Sequence, residues 1–124
     1  MSTASTLRAL AACAAFVTAG GAAHAQNWPA KPVRVIVGVP PGGTTDFIAR
    51  LIGQKLGEQF GQQVVIENRS GASGNIGAEA VAKAAPDGYT LLLGTIGTMT
   101  INQSLYAKLP FDTLRDFAPV SQLT

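Results

Sequence analysis

Three apolar runs punctuate the chain, and glycine follows each of them. Residues 33 to 39, VRVIVGV, are β-branched and nearly continuous in their apolarity. That is the pattern of a strand covered on both faces and therefore paired in parallel. Two prolines in Trp28-Pro29-Ala30-Lys31-Pro32 make the preceding segment an extended lead-in, and Pro40-Pro41-Gly42-Gly43 breaks the strand. Phe47, Ile48, Leu51, Ile52, Leu56 and Phe60 then recur at helical spacing, with Arg50, Lys55 and Glu58 on the other face. Thr44 or Thr45 is the expected N-cap, Asp46 a favourable first-turn charge, and Gly61 stands where a helix ends in a left-handed glycine.

The pattern then repeats. A second strand is expected from Gln63 to Glu67, then the loop ENRSGASG, then an alanine-rich helix from Asn75 to Ala84. Pro86-Asp87-Gly88 is a turn, because proline presets one backbone angle and glycine accepts the next. YTLLLG, residues 89 to 94, reads as a third buried strand opening into Gly94-Thr95-Ile96-Gly97-Thr98-Met99-Thr100. A short helix over 101–106, a capped helical turn over 112–117 and an extended segment over 119–123 complete the reading. Strand, helix, strand, helix, strand predicts an α/β fold, a right-handed parallel sheet between helical layers. In such a sheet the strand-exit loops share the carboxyl edge, where ligands bind at a topological switch point. A spatial order 2-1-3 would put loops 40–46 and 94–98 on either side of that point.

The first 25 residues differ in character. Arg8 is their only charge, an apolar middle follows, and Ala23-His24-Ala25 fits a small-residue cleavage site before Gln26. This is the architecture of a secretory signal peptide, so residues 1–25 are expected to be removed on export and 26–124 to remain. A membrane anchor fits less well, since Thr18, Gly20 and Gly21 interrupt a run already shorter than the roughly 20 residues needed to span a bilayer. Leu10-Ala11-Ala12-Cys13 resembles a lipid-attachment box, but cleavage there would leave only Thr6 to Ala12, with Arg8 inside it, as the apolar region.

Cleavage after Ala25 would remove the single cysteine, Cys13, and the single histidine, His24. What remains has no thiol nucleophile, no Cys/His metal cluster and no histidine base, so no catalytic residues and no metal ligands are assigned, and the chain is not expected to be an enzyme. The basic residues Lys31, Arg34, Arg50, Lys55, Arg69, Lys83, Lys108 and Arg115 stand singly, against 7 acidic ones. With no basic stripe, nucleic acid is excluded as a partner. Residues 26–124 make one small domain, and the chain stops in what reads as the start of an extended segment, the pattern of a truncated domain.

SGASGNIG, residues 70 to 77, raises the question of a dinucleotide site. It resembles the glycine loop of short-chain dehydrogenases and feeds a helix, so an exported NAD(P)-dependent enzyme is the alternative reading. Its context argues otherwise. The loop follows the second strand, not the first; Glu67-Asn68-Arg69 separates strand from glycines; and Leu93-Gly94-Thr95 stands where a ribose-binding acid belongs. All three strand exits instead combine glycine with small hydroxyl side chains before a helix. Helix N-termini and free backbone N–H groups on one edge favour an anion, and a small carboxylate suits them.

The segments WPAKPVRVIVGVPPGGTTDFIAR, VVIENRSGASGNIGAEAVAKAAPDGYTLLLGTIGT and INQSLYAKLPFDTLRDFAPVSQL resemble the Bug-type receptors, the periplasmic solute-binding proteins of tripartite tricarboxylate transporters. The resemblance implies a two-lobed periplasmic-binding-protein fold, type II-like, that closes on a small carboxylate: a di- or tricarboxylate, or an amino-acid-like or aromatic acid. It implies ligand contacts through backbone groups and ordered waters at the first and third loops. Here those positions are Pro41, Gly42, Gly43, Thr44, Thr45 and Asp46, and Gly94, Thr95, Gly97 and Thr98, with Ser73, Gly74 and Asn75 as a second tier. A monomer in the periplasm, needing no cofactor and engaging the membrane subunits of its transporter, is implied as well. The departure is length: residues 26–124 match only the opening part of the first lobe, which leaves a non-functional truncated receptor as a further alternative.

Overall fold

The computed structural model describes residues 27–123; the leader, with Cys13 and His24, lies outside them. The element order is β1 (Val33–Val37), α1 (Thr44–Phe60), β2 (Val64–Asn68), a single 3-10 turn (Ala72–Gly74), α2 (Asn75–Ala82), β3 (Thr90–Leu93), a stretch of wide helical turns (Gly97–Ile101) and α3 (Asn102–Leu105). The sheet order is β2-β1-β3 and both pairings are parallel. Val33 stands opposite Val64 and Arg34 opposite Thr90. The 2-1-3 order places the exits of β1 and β3 side by side, with the switch point between them.

The helices lie on opposite faces of the sheet. Ile66, level with Val35 in the register, meets Gly53 of α1, whereas Ile36, one residue on and so on the other face, meets Gly77 of α2. The result is a three-layer α/β sandwich with β1 at its centre, where Val33, Ile36 and Val37 are almost completely buried. Each such side chain contributes roughly 1.5–3 kcal/mol by leaving water. Strands β2 and β3 are the outer strands, so β3 is half-buried where the sequence predicts full burial.

Helix α1 departs from its hydrophobic pattern. Phe47 and Leu51 are 66% and 50% exposed, and the residues turned fully inward are Asp46, Ala49 and Gly53. Small side chains let α1 lie close to β2, so the contact is made along a narrow stripe while part of the apolar spacing faces outward. Gly61 ends the helix in the left-handed conformation (φ 63°), its N–H donating to the Gly57 carbonyl, as expected. Two expectations need correction. The N-cap is Gly43 rather than Thr44 or Thr45, and no side chain caps it. Residues 119–123 form no strand, for no neighbour within the described residues offers them a ladder of hydrogen bonds.

At the amino edge of the sheet, Trp28 packs edge-on against Phe60 at 5.2 Å and beside Tyr89 at 6.0 Å. Lys31 sits 4.3 Å over the Tyr89 ring, and the Ala30 N–H donates to the Tyr89 hydroxyl at 2.9 Å. The lead-in is thereby fastened to the end of the sheet opposite the strand-exit loops. Asp112 caps the turn that follows α3, accepting from the Leu114 and Arg115 N–H groups.

Candidate functional site

The first strand-exit loop runs from Gly38 to the start of α1, and Asp46 organises it. Its side chain is buried in the first turn of the helix. One carboxylate oxygen accepts from the Gly42 N–H at 2.9 Å and the Arg50 Nε at 3.0 Å; the other accepts from Asn68 Nδ2 at 2.9 Å. The Arg50 guanidinium beside it, then the Gly42 N–H and the Asn68 amide, hold the carboxyl well below the usual carboxylate range. Asn68, the last residue of β2, also donates to the Val39 carbonyl at 3.1 Å and accepts from Arg50 at 3.0 Å. The loop is thus tied to the end of the neighbouring strand. Gly42 adopts φ +92°, which glycine alone takes without strain, and Gly42 and Gly43 have open space where a Cβ would stand.

The second and third loops lock together. A Cβ on Gly74 would collide with Thr98 Oγ1, and one on Gly38 would stand 2.9 Å from the Gly74 Cα, so the three loops meet with no room for a side chain. The Ser73 carbonyl accepts from Thr98 Oγ1 at 3.1 Å and from Asn102 Nδ2 at 3.0 Å. Asn102 Nδ2 also donates to Asn75 Oδ1 at 2.7 Å. Asn75 therefore caps no helix, and its carbonyl oxygen is occupied inside the protein. Tyr106 reaches the Ser73 hydroxyl at 3.3 Å.

Proton counting separates the hydroxyls. Thr98 gives its one hydroxyl proton to Ser73, so in the 3.2 Å contact between Thr95 and Thr98 the donor is Thr95. The Thr98 N–H donates back to Thr95 Oγ1 at 3.3 Å. Neither hydroxyl of the third loop keeps a proton for a ligand; what that loop presents is backbone at Gly94, Ile96 and Gly97. The first loop differs: Gly43 leaves α1 uncapped, so the N–H groups of its first turn have no intrahelical acceptor, and Thr44 lies exposed beside them. An uncapped helix start at a switch point can bind a small anion.

The sequence-predicted positions therefore divide. Pro41, Gly42, Gly43, Thr44, Thr45, Gly94 and Gly97 stand on the carboxyl edge with backbone or side chain toward solvent or half-covered. Asp46, Gly74, Asn75 and Thr98 are buried, and the Asp46 carboxylate, the Gly74 N–H, the Asn75 Oδ1 and the Thr98 hydroxyl find their partners within the protein. Ser73 is exposed at its hydroxyl and engaged at its carbonyl, while Thr95 is half-buried beside Thr98. Sequence reasoning missed two organising residues, Asn68 and Asn102. An asparagine at a strand end and one in a short helix carry no local signal, because their partners are 18 to 29 residues away.

Glu67, which would stand near the phosphates of a dinucleotide, is paired with Arg34 and with Arg69 Nε at 2.6 Å, and the two arginines hold its carboxyl below the ordinary glutamate value. Gly71 stands at positive φ, and the other two glycines of SGASGNIG are explained by packing. Gly74 lies against Thr98, and a Cβ on Gly77 would stand 3.0 Å from the Arg69 carbonyl and 3.1 Å from the Gly38 Cα. Among the described residues, no three His, Cys, Asp or Glu side chains gather as metal ligands.

Residues 48–124 match the family model described as the tripartite tricarboxylate transporter family receptor. The chain is 42% identical over 120 residues to protein BugT of Bordetella pertussis, a match covering 94% of this chain and 37% of that protein. Among solved structures it is similar to MatC from Rhodopseudomonas palustris with bound malate (43% identity, TM-score 0.72, 75% of this chain and 32% of that one). It is also similar to the periplasmic binding protein BugD (38% identity, TM-score 0.71, 74% and 30%). The chain spans about a third of the length of the curated relatives it matches.

Proposed function

The chain belongs to the tripartite tricarboxylate transporter receptor family, a family of Bug-type solute receptors and not of enzymes, and from that premise we propose that it contributes the first-lobe half of an extracytoplasmic carboxylate receptor. The observation that carries this reading is the uncapped N-terminus of α1 at the switch point, with Gly43 and Thr44 exposed, Thr45 half-buried, and Gly94 and Gly97 on the same carboxyl edge. One carboxylate of a small di- or tricarboxylate accepts hydrogen bonds from these N–H groups and from the Thr44 hydroxyl, directly or through water. The malate held by MatC supports that ligand class. Asp46 is not a ligand contact in this scheme, since both its oxygens are already occupied and a second carboxylate beside it would be repelled.

The protein acts in the periplasm after removal of residues 1–25, and residues 26–124 are the opening part of a lobe that closes with a second lobe on the ligand. The closed form then presents a surface to the membrane subunits of its transporter; ligand favours it through contacts with both lobes. The receptor works as a monomer and needs no cofactor.

Thermal-shift assays on the exported protein, with malate, other di- and tricarboxylates and a nicotinamide dinucleotide as control, test the reading. A carboxylate at about 100 times its Kd is expected to add roughly 2.7 kcal/mol of stability. Stabilisation by the dinucleotide, with none by any acid, would overturn it.

A further inference from the structure

The loop between β2 and α2 holds two residues in a conformation that L-amino acids avoid: Ala72 at φ 47° and Ser73 at φ 56°. Each costs roughly 1–2 kcal/mol relative to right-handed or extended backbone. Glycines at 71 and 74 also have positive φ, so the turn is a continuous run of positive φ from Gly71 to Gly74. A run of this kind persists only where its surroundings over-determine it.

The surroundings here are two side chains of the third loop and its helix. Asn102 and Thr98 both donate to the Ser73 carbonyl, and Asn102 fastens the nearby side chain of Asn75 through the same amide nitrogen. All three side chains are buried, Asn102 being 2% exposed. We infer that Asn102, assisted by Thr98, is a positioning residue for the carboxyl edge: by gripping the Ser73 carbonyl it keeps the 71–74 turn at positive φ and makes the second and third loops one rigid rim.

The effect reaches the first loop through backbone contact. Gly74 packs against Gly38 too closely for any side chain, and Gly38 leads directly into Val39, whose carbonyl Asn68 holds, and Pro40 to Gly43. A turn that relaxed toward extended backbone would withdraw the Gly74 support from the end of β1. The donors at the start of α1 would then lose their fixed aim. Asn102 thus acts on the ligand without touching it, and this role rests on reading that edge as the carboxylate site.

The test uses protein purified from the periplasm as wild type, Asn102→Ala, and Asn102→Ala combined with Ala72→Gly and Ser73→Gly. Amide hydrogen exchange without ligand reads the turn; calorimetric titration with malate reads the site, at a temperature where circular dichroism shows every variant folded. Losing the amide donors to Ser73 and Asn75 is expected to speed exchange at residues 72–75 and weaken malate binding, each by about tenfold, the scale of two modest hydrogen bonds lost together. The glycine pair removes the steric cost of positive φ, so it is expected to recover most of the malate affinity while the melting temperature stays low. Unchanged exchange in Asn102→Ala overturns the inference. So does malate affinity that falls in step with melting temperature and is not recovered by the glycines. If wild type binds no carboxylate, the functional reading fails, and the exchange comparison alone decides whether Asn102 holds the turn.

Discussion

Asp46 shows how a charge can organise the carboxyl edge of a sheet without facing outward from it. Its carboxylate lies inside the first turn of α1, where the helix dipole, Arg50, the Gly42 N–H and Asn68 all favour the ionised form. The sign of the consequence is fixed: a carboxyl whose pKa is lower in the folded chain stabilises the fold above its ordinary value of 3.8, and that contribution is lost as pH falls from there toward the folded-state value. Asp46→Asn is therefore expected to lower the melting temperature at neutral pH and to flatten its decline in acid, measured by thermal melts across pH. A parallel decline in both proteins would show that Asp46 does not carry this dependence. Asp46→Ala should lower stability as well as affinity, because Gly42 and Asn68 would both lose their acceptor. From the sequence Asp46 reads as a ligand contact, with a helix-start charge as the alternative; its depth and its three donors favour the second.

At the scale of elements, glycines decide how close the helices come to the sheet. Both helices have one pressed against a strand, with different neighbours. A methyl group at Gly53 would come closest to the end of the Ile66 side chain, at 2.9 Å, which can turn aside. At Gly77 it would meet the Arg69 carbonyl and the Gly38 Cα, at 3.0 and 3.1 Å, and backbone cannot give way as cheaply. Gly53→Ala is expected to be close to neutral, the better helix propensity of alanine, up to about 1 kcal/mol, offsetting a rotamer shift. Gly77→Ala is expected to cost roughly 1–3 kcal/mol as overpacking. Chemical denaturation of the two variants measures the difference, and equal costs would contradict the asymmetric packing. The stripe of large apolar residues in α1 predicted the helix correctly but misplaced part of its contact face. Periodicity reports that one side is apolar; it does not report that a small-residue stripe, Ala49 and Gly53, sits closest to the sheet.

Across the whole molecule, the depressed carboxylates act together. Asp46, Glu67, Asp87 and Asp116 are each held below their ordinary values, chiefly by Arg50, Arg34, the Tyr89 N–H and Arg115 respectively. Stability should be level above about pH 5 and fall as pH drops below about 4. Circular dichroism melts between those limits check this, and a melting temperature rising in acid would contradict it. The proposed leader makes a second prediction at this scale: the N-terminal residue of protein recovered from the periplasm should be Gln26, read by mass spectrometry, whereas retention of Met1 would rule out the leader. The sequence by itself determined the alternation of strands and helices, the parallel sheet, the family and the identity of the three small-residue loops. These rest on local signals: β-branched runs, helical spacing, and glycine or proline at each break. Only the tertiary structure decided which loop polar groups are already engaged within the protein. That depends on donors and acceptors brought together from distant positions, Asn102 to Ser73 and Asn68 to Asp46 among them. Two of the glycines in SGASGNIG, Gly74 and Gly77, share this cause, since what they fit against, Thr98 and Gly38, is adjacent only once the chain has folded.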